Sequence, residues 1–365
     1  MSKLFTPTSI GFTNLQHRVV MAPLTRMRAS DGAMPNALME TYYGQRASKG
    51  GLIVSEATFV SAGGNGYLGA PGIYDDAQIA GWKRITDAVH AKGGHIFLQL
   101  WHVGRVSHSE HQPNGGQPVA PSAVPFEGVV FTSQGWVPTS PARELSAEEI
   151  AALIEDYRAA TRRAIAAGFD GVEIHAANGY LVDQFLQDGS NRRSDQYGGS
   201  VENRARFLLE LVDAVGSVIG PNRVAVRLSP SSNFGGMHDS DPQALFTYVS
   251  KQLDHRNLAY VHVIEPRVQG SENDLQRSQE VVAAHLIRQH YKGVLLAAGG
   301  FTPVSAEATV DAGDVDLVAF GRDFIANPDL PTRIRDGLPL NPYNRDTFYG
   351  GTDAGYTDYP SYQFA

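Results

Sequence analysis

Val294-Leu-Leu-Ala-Ala-Gly299-Gly300-Phe301 is apolar throughout and then stops at two glycines. A strand with one wet face alternates polar and apolar residues, whereas a strand covered on both faces need not. The run therefore reads as a strand of a buried parallel sheet. Seven more short apolar runs resemble it, at 18–22, 52–56, 95–100, 171–175, 223–228, 259–264 and 316–320. Helix-like stretches lie between most of them. Residues 76–92 carry Ile79, Trp82, Ile85 and Val89 on one face, and 147–167 open with the capping box Ser146-Ala-Glu-Glu149 and stop at Gly168. A third helix is expected over 200–219. Eight strand–helix repeats point to an α/β chain closed as a (β/α)8 TIM barrel. An open doubly wound sheet stays as the alternative, because periodicity does not prove closure. No linker divides residues 1–365, so one domain is expected.

Two additions interrupt the repeat. Residues 4–17 read as a small hairpin before the first strand, placed as a plug at the barrel's bottom. Residues 103–145 form a Pro-, Gly- and Ser-rich excursion between strands three and four, with β-like pieces such as Val129-Val-Phe131. This excursion follows the C-terminal end of a strand, the face on which such barrels carry their sites, so it reads as a lid.

Hydrophobic residues make up 42% of the 365 and charged residues 19%, an ordinary balance for a globular enzyme. The net charge is −8 with no basic stripe, which argues against nucleic acid as a partner. No apolar run is long enough to span a membrane, and Met1-Ser-Lys-Leu-Phe-Thr-Pro7 lacks a signal core, so a cytoplasmic protein is expected. There are no cysteines. Disulfides, Fe–S clusters, thiol nucleophiles and Cys-ligated zinc are thereby excluded. His102, His108 and His111 lack the spacing of a metal motif and read as solvated loop residues, with no metal expected. Gly64-Asn-Gly66-Tyr-Leu-Gly69 matches a dinucleotide fingerprint, but Ala70-Pro71-Gly72 follows where a helix should start. It reads as a loop, with Tyr67 turned toward the site.

Strand ends collect the residues that could do chemistry. In chain order these are Thr25, Glu56 with Ala57, Gln99 with Trp101 and His102, His175 with Asn178 and Tyr180, Arg227, Glu265, Gly299 with Gly300, and Gly321 with Arg322. The glycine turns after strands seven and eight, with Arg322, form the place where barrels bind phosphate. The plainer reading is two ordinary turns and a surface arginine. In His175-Ala-Ala-Asn178-Gly-Tyr180, two hydrogen-bond donors converge beside a phenol that is neutral at pH 7. Such donors suit an oxygen that gains charge, and the phenol suits proton donation. The plainer reading is a core histidine followed by a capping asparagine.

These stretches resemble the Old Yellow Enzyme family. The matching motifs include Met21-Ala-Pro-Leu-Thr25-Arg26, Gln45-Arg-Ala-Ser48, Ser55-Glu-Ala57-Thr, Gln99-Leu-Trp101-His102, His175-Ala-Ala-Asn178-Gly-Tyr180-Leu, Asn191-Arg-Arg, Asp195-Gln-Tyr-Gly-Gly-Ser-Val-Glu-Asn-Arg204, Phe320-Gly-Arg322-Asp and Tyr349-Gly-Gly. The pattern is nearest that of the bacterial N-ethylmaleimide, pentaerythritol tetranitrate and morphinone reductases. The resemblance implies noncovalent FMN and a hydride donor, NADH or NADPH. It places Ala22, Pro23, Leu24, Thr25, Ala57, Gln99 and Arg227 against the isoalloxazine and ribityl chain. It places Gly299, Gly300, Gly321 and Arg322 on the phosphate. His175 and Asn178 would hold the carbonyl or nitro oxygen of an activated alkene, Tyr180 would protonate its α-carbon, and Tyr67, Trp101 and Tyr349 would line the substrate space. The implied activity is an ene-reductase acting on enones, enals, maleimides and nitroalkenes, in a monomer or weak homo-oligomer. Thr25 marks the branch without a cysteine at that position. Residues 126–136, 231–241 and 268–273 depart from the family pattern and are expected to shape the pocket. A flavin-free phosphate-binding lyase or isomerase is the competing function.

Overall fold

The computed structural model describes residues 2–269, 272–273 and 283–363. Eight strands form the centre: β1 Val19–Met21, β2 Leu52–Phe59, β3 His95–Trp101, β4 Gly171–Ala176, β5 Val224–Leu228, β6 Tyr260–Ile264, β7 Leu295–Ala298 and β8 Leu317–Phe320. Each pairs in parallel with the next, and β8 pairs with β1, Val318 opposite Val19. The sheet is therefore a closed barrel, and the open-sheet alternative falls. All eight expected strands are present.

Around them run α1 Ala37–Arg46, α2 Asp76–His90, α3 Ala147–Ala166, α4 Leu181–Leu186, α5 Val201–Ile219, α6 Pro242–Asp254, α7 Ala284–His290, α8 Pro303–Ala312, α9 Arg322–Ala326 and α10 Leu330–Asp336. The expected Ser146–Glu149 capping box opens α3. Gly168, at φ +91°, ends that turn. On α5 the face carrying Phe207, Leu208, Leu211 and Val215 is fully buried against the sheet and its neighbours. Each such side chain contributes roughly 1.5–3 kcal/mol by leaving water.

The strands are buried on both faces. Inward residues Val20, Leu52, Val54, Phe97, Ala225, Tyr260, Leu296 and Leu317 fill the barrel. Ile10 and Leu15 join that cluster from an antiparallel hairpin, Thr8–Ile10 with Thr13–Leu15, so the hairpin does plug one end. The inward layers are apolar at this end and turn polar toward the other.

One strand runs on past its expected end. β2 continues to Phe59 because a bulge between Val54 and Ala57 absorbs two polar residues. There Ser55 Oγ accepts the Gln99 N–H at 3.1 Å. Glu56 turns away to accept from Tyr43 and from the Arg26 N–H. The excursion is closed at its base by Val119–Ala120 pairing with Arg143–Glu144, and it carries a hairpin, Val129–Thr132 with Gly135–Pro138. That hairpin docks on residue 68, whose N–H donates to the Phe131 carbonyl at 3.0 Å. Of 268–273, Gly270 and Ser271 lie outside the described residues. The flanking Val268–Gln269 and Glu272–Asn273 pair antiparallel. Among the described residues no helix is long and apolar enough to cross a membrane.

Candidate active site

The residues assigned from the sequence to the cofactor, the substrate or catalysis all line one cavity of about 470 Å³ at the C-terminal ends of the strands. Three strand-end residues do not. Glu56 faces Tyr43, and Glu265 accepts the Ala284 N–H. His102, expected in solvent, is only 2% exposed. Its Nδ1 accepts the Gly104 N–H, and burial lowers its pKa to about 4. It follows directly on β3, so the packed strand end carries it inward. His111 Nε2 donates to the Phe131 carbonyl at 2.9 Å. Gly64-Asn-Gly66-Tyr-Leu-Gly69 opens no helix, and Tyr67 does reach the cavity.

One corner is built from β7 and β8. Gly299 and Gly300 have φ of +119° and +65°, backbone that side-chain-bearing residues rarely adopt. A Cβ on Gly299 would sit 3.2 Å from that of Glu265. Arg267 Nε donates to the Gly299 carbonyl and stacks on Phe301. The short helix α9 begins directly after β8 at Arg322, as in barrels that bind phosphate.

The opposite wall carries the donors. Tyr180 stands edge-on to Trp101 at 4.9 Å and to His175 at 5.1 Å, and its hydroxyl lies 3.4 Å from that of Tyr67. Burial, then the phenol groups of Tyr67, which shares a hydrogen bond with it, and of Tyr349, push the Tyr180 phenol well above its usual value, so it keeps its proton. Burial, then the Arg227 charge, hold His175 well below the usual histidine range, so it is neutral with one N–H to give. Asn178 has φ +57°, an uncommon conformation for any residue but glycine. Its N–H donates to Ser229 Oγ at 2.8 Å, and the next N–H, of Gly179, donates to Asp183 Oδ2 at 2.9 Å.

Trp101 Nε1, His175 Nδ1 and Arg227 Nε are buried with no hydrogen-bond partner among the described residues. Leaving such groups unpaired costs roughly 1–3 kcal/mol each, which a polar ligand would recover. Together with the glycine corner, this suits a flat, polar, phosphorylated ligand such as FMN. The cavity also includes Phe301, Tyr343 and Phe348, which sequence reading did not assign, and Trp136, which falls in the 126–136 stretch expected to shape the pocket. Phe301 directly follows Gly300 and could have been found. Trp136 comes from the excursion hairpin, and Tyr343 and Phe348 from irregular C-terminal chain, where no barrel periodicity points.

The sequence model of the NADH:flavin oxidoreductase / NADH oxidase family matches residues 3–341. Flavin oxidoreductase hxnT of Emericella nidulans is 48% identical over 381 residues, covering 99% of this chain and 98% of that protein. 12-oxophytodienoate reductase 2 of Arabidopsis thaliana is 46% identical over 360 residues, covering 98% and 95%. The solved structure of morphinone reductase in complex with tetrahydroNAD superposes with a TM-score of 0.91 at 51% identity, covering 99% of this chain and 98% of that one. The chain therefore belongs to the NADH:flavin oxidoreductase / NADH oxidase family, the Old Yellow Enzyme family, as an FMN-dependent oxidoreductase with a nicotinamide hydride donor.

Proposed function

We propose that the protein is an ene-reductase that reduces the C=C bond of α,β-unsaturated carbonyl and nitro compounds at the expense of NAD(P)H, with Tyr180 as proton donor. The observation that carries this reading is the pairing, on one cavity wall, of a neutral histidine with a tyrosine held protonated. Bound FMN would supply the redox chemistry, relaying hydride from the nicotinamide to the alkene's β-carbon.

The chain's own residues do the rest. Ala22, Pro23, Leu24, Thr25, Ala57, Gln99 and Arg227 would hold the isoalloxazine and ribityl chain, and Gly299, Gly300, Gly321 and Arg322 the phosphate. His175 and Asn178 hydrogen-bond the substrate oxygen, where negative charge grows as the alkene is reduced. Each such donor is worth about 2.7–4 kcal/mol at a transition state. Tyr180 delivers its hydroxyl proton to the α-carbon. Tyr67, Trp101 and Tyr349 line the substrate space, and the Tyr67–Trp101 stack, 5.6 Å between ring centroids, gives it a flat wall.

Stopped-flow measurement of both half-reactions tests this, with 2-cyclohexenone as oxidant. Tyr180→Phe should slow alkene reduction by about 10²-fold or more, the usual worth of a positioned acid, and leave flavin reduction by NAD(P)H at the wild-type rate. Equal losses in both half-reactions would contradict the proton-donor role.

A further inference from the structure

Glu173 lies two residues before His175 on β4, so both side chains enter the barrel. Its carboxylate is fully buried. Oε1 accepts from Gln99 Nε2 at 2.7 Å, and Oε2 accepts from His262 Nδ1 at 2.9 Å. Arg227 stands beside this group: it is opposite His175 across β4–β5 and opposite His262 across β5–β6. Burial pushes the Glu173 carboxyl up, but His262, Arg227 and Gln99 together outweigh it and keep it ionised. Burial likewise lowers His262, which stays neutral and donates through Nδ1.

A buried carboxylate is a costly way to fill a barrel, since a well-packed apolar residue does that better. Two features give it a purpose. Gln99 lines the cavity with its amide nitrogen committed to Glu173, so its amide orientation is set and its oxygen is left as the acceptor. Arg227 also lines the cavity, with its charge opposed from below by Glu173. We propose that Glu173 is a positioning residue for FMN, which sets the Gln99 amide against the cofactor and offsets the Arg227 charge, so holding the reduction potential of bound FMN lower than Arg227 alone would. This rests on the reading above that Gln99 and Arg227 would hold the isoalloxazine. Charge near that ring is one of the protein's levers on a flavin.

The test compares holoenzymes by spectroscopic titration of the bound-FMN potential and by FMN dissociation. Glu173→Gln removes the charge and nearly keeps the shape. Its reduced FMN should be bound about tenfold more tightly relative to oxidised FMN, a positive shift of about 30 mV for a two-electron couple. Glu173→Asp keeps the charge but shortens the reach to Gln99 and His262. It should leave the potential in place and weaken FMN binding several-fold. A folded, FMN-loaded E173Q with wild-type potential overturns the charge role. E173D with native FMN affinity overturns the positioning role, and it stands as a test even if E173Q does not fold. Arg227→Gln should lower the potential. If it does not, the cofactor placement fails, and this inference with it; if it does while E173Q leaves the potential unmoved, only the role of Glu173 fails.

Discussion

Asn178 adopts a left-handed backbone because its neighbours hold it there. Ser229 Oγ takes its N–H, Asp183 takes that of Gly179, and Gln184 Nε2 donates to the Gly179 carbonyl at 2.7 Å. Asp183 is fully buried, and burial raises its pKa from 3.8 to about 7 against the hydrogen bonds from Gly179, Gln187 and Ser229. The sign of the pH effect follows. Between pH 4 and 7 the unfolded chain has lost this proton while the folded chain keeps it, so the contribution to stability is full below pH 4 and is lost as pH rises through 7. Asp183→Asn cannot titrate. Urea midpoints at pH 5 and pH 8 should therefore show wild type losing stability relative to D183N on going to the higher pH, and parallel changes in the two proteins would sink the assignment. His175, Asn178 and Tyr180 were legible in the sequence because they fall within six residues at the end of one strand. Asp183 and Glu173 were not, because a carboxylate beneath a site has no sequence signature beyond its register. On β4 that register was readable: Glu173 and His175 are two apart and must share a face.

At the scale of elements, the barrel strands were legible to within a residue or two except where polar residues mimic an end. Ser55 and Glu56 looked like the close of β2, yet they only form its bulge. The short helices α4, α9 and α10 carry too few turns to show a period. The excursion hairpin reaches the cavity through Trp136. Phe131 and Trp136 are cross-strand partners, their rings edge-to-face at 5.3 Å. Trp136 in turn lies 6.3 Å from Tyr67 and 6.1 Å from Tyr349, and it is half exposed. Edge-to-face aromatic contacts are worth roughly 0.5–1.5 kcal/mol. Trp136→Ala should therefore raise KM for planar cyclic alkenes about 3- to 10-fold, with FMN dissociation unchanged. A loss of FMN affinity, or no change in KM, would show that the hairpin does not contact substrate.

At the scale of the whole molecule, segments near the two ends of the chain are joined beside the cavity, which Arg26, Phe348 and Tyr349 line. Arg26, Arg28 and Arg46 leave the first βα unit and are buried. They donate mainly to backbone carbonyls some 300 residues later. Arg26 reaches Phe348 and Gly355, Arg28 reaches Thr352, Thr347 and Ala354, and Arg46 reaches Tyr356. The Arg28 guanidinium also stacks 4.5 Å over Tyr356. Arg26 and Arg46 belong to motifs that were legible, but this use of them was not, because a carbonyl acceptor leaves no mark in a sequence. The clamp matters to the site because the segment it holds carries Phe348 and Tyr349, which line the cavity. Hydrogen bonds from a charged donor are worth about 1.5–3 kcal/mol each when their loss strands the partner. Arg28→Ala strands at least three carbonyls, which partial hydration would relieve, so a loss of roughly 2–4 kcal/mol is expected. The same change should free residues 347–356 for limited proteolysis and raise the alkene KM, while flavin reduction is less affected. Arg28→Lys should behave nearly as badly, because an ammonium cannot fan out to several carbonyls as a guanidinium does. A segment as protease-resistant in R28A as in wild type would mean that Arg28 merely fills space, and that other contacts hold Tyr349 at the cavity.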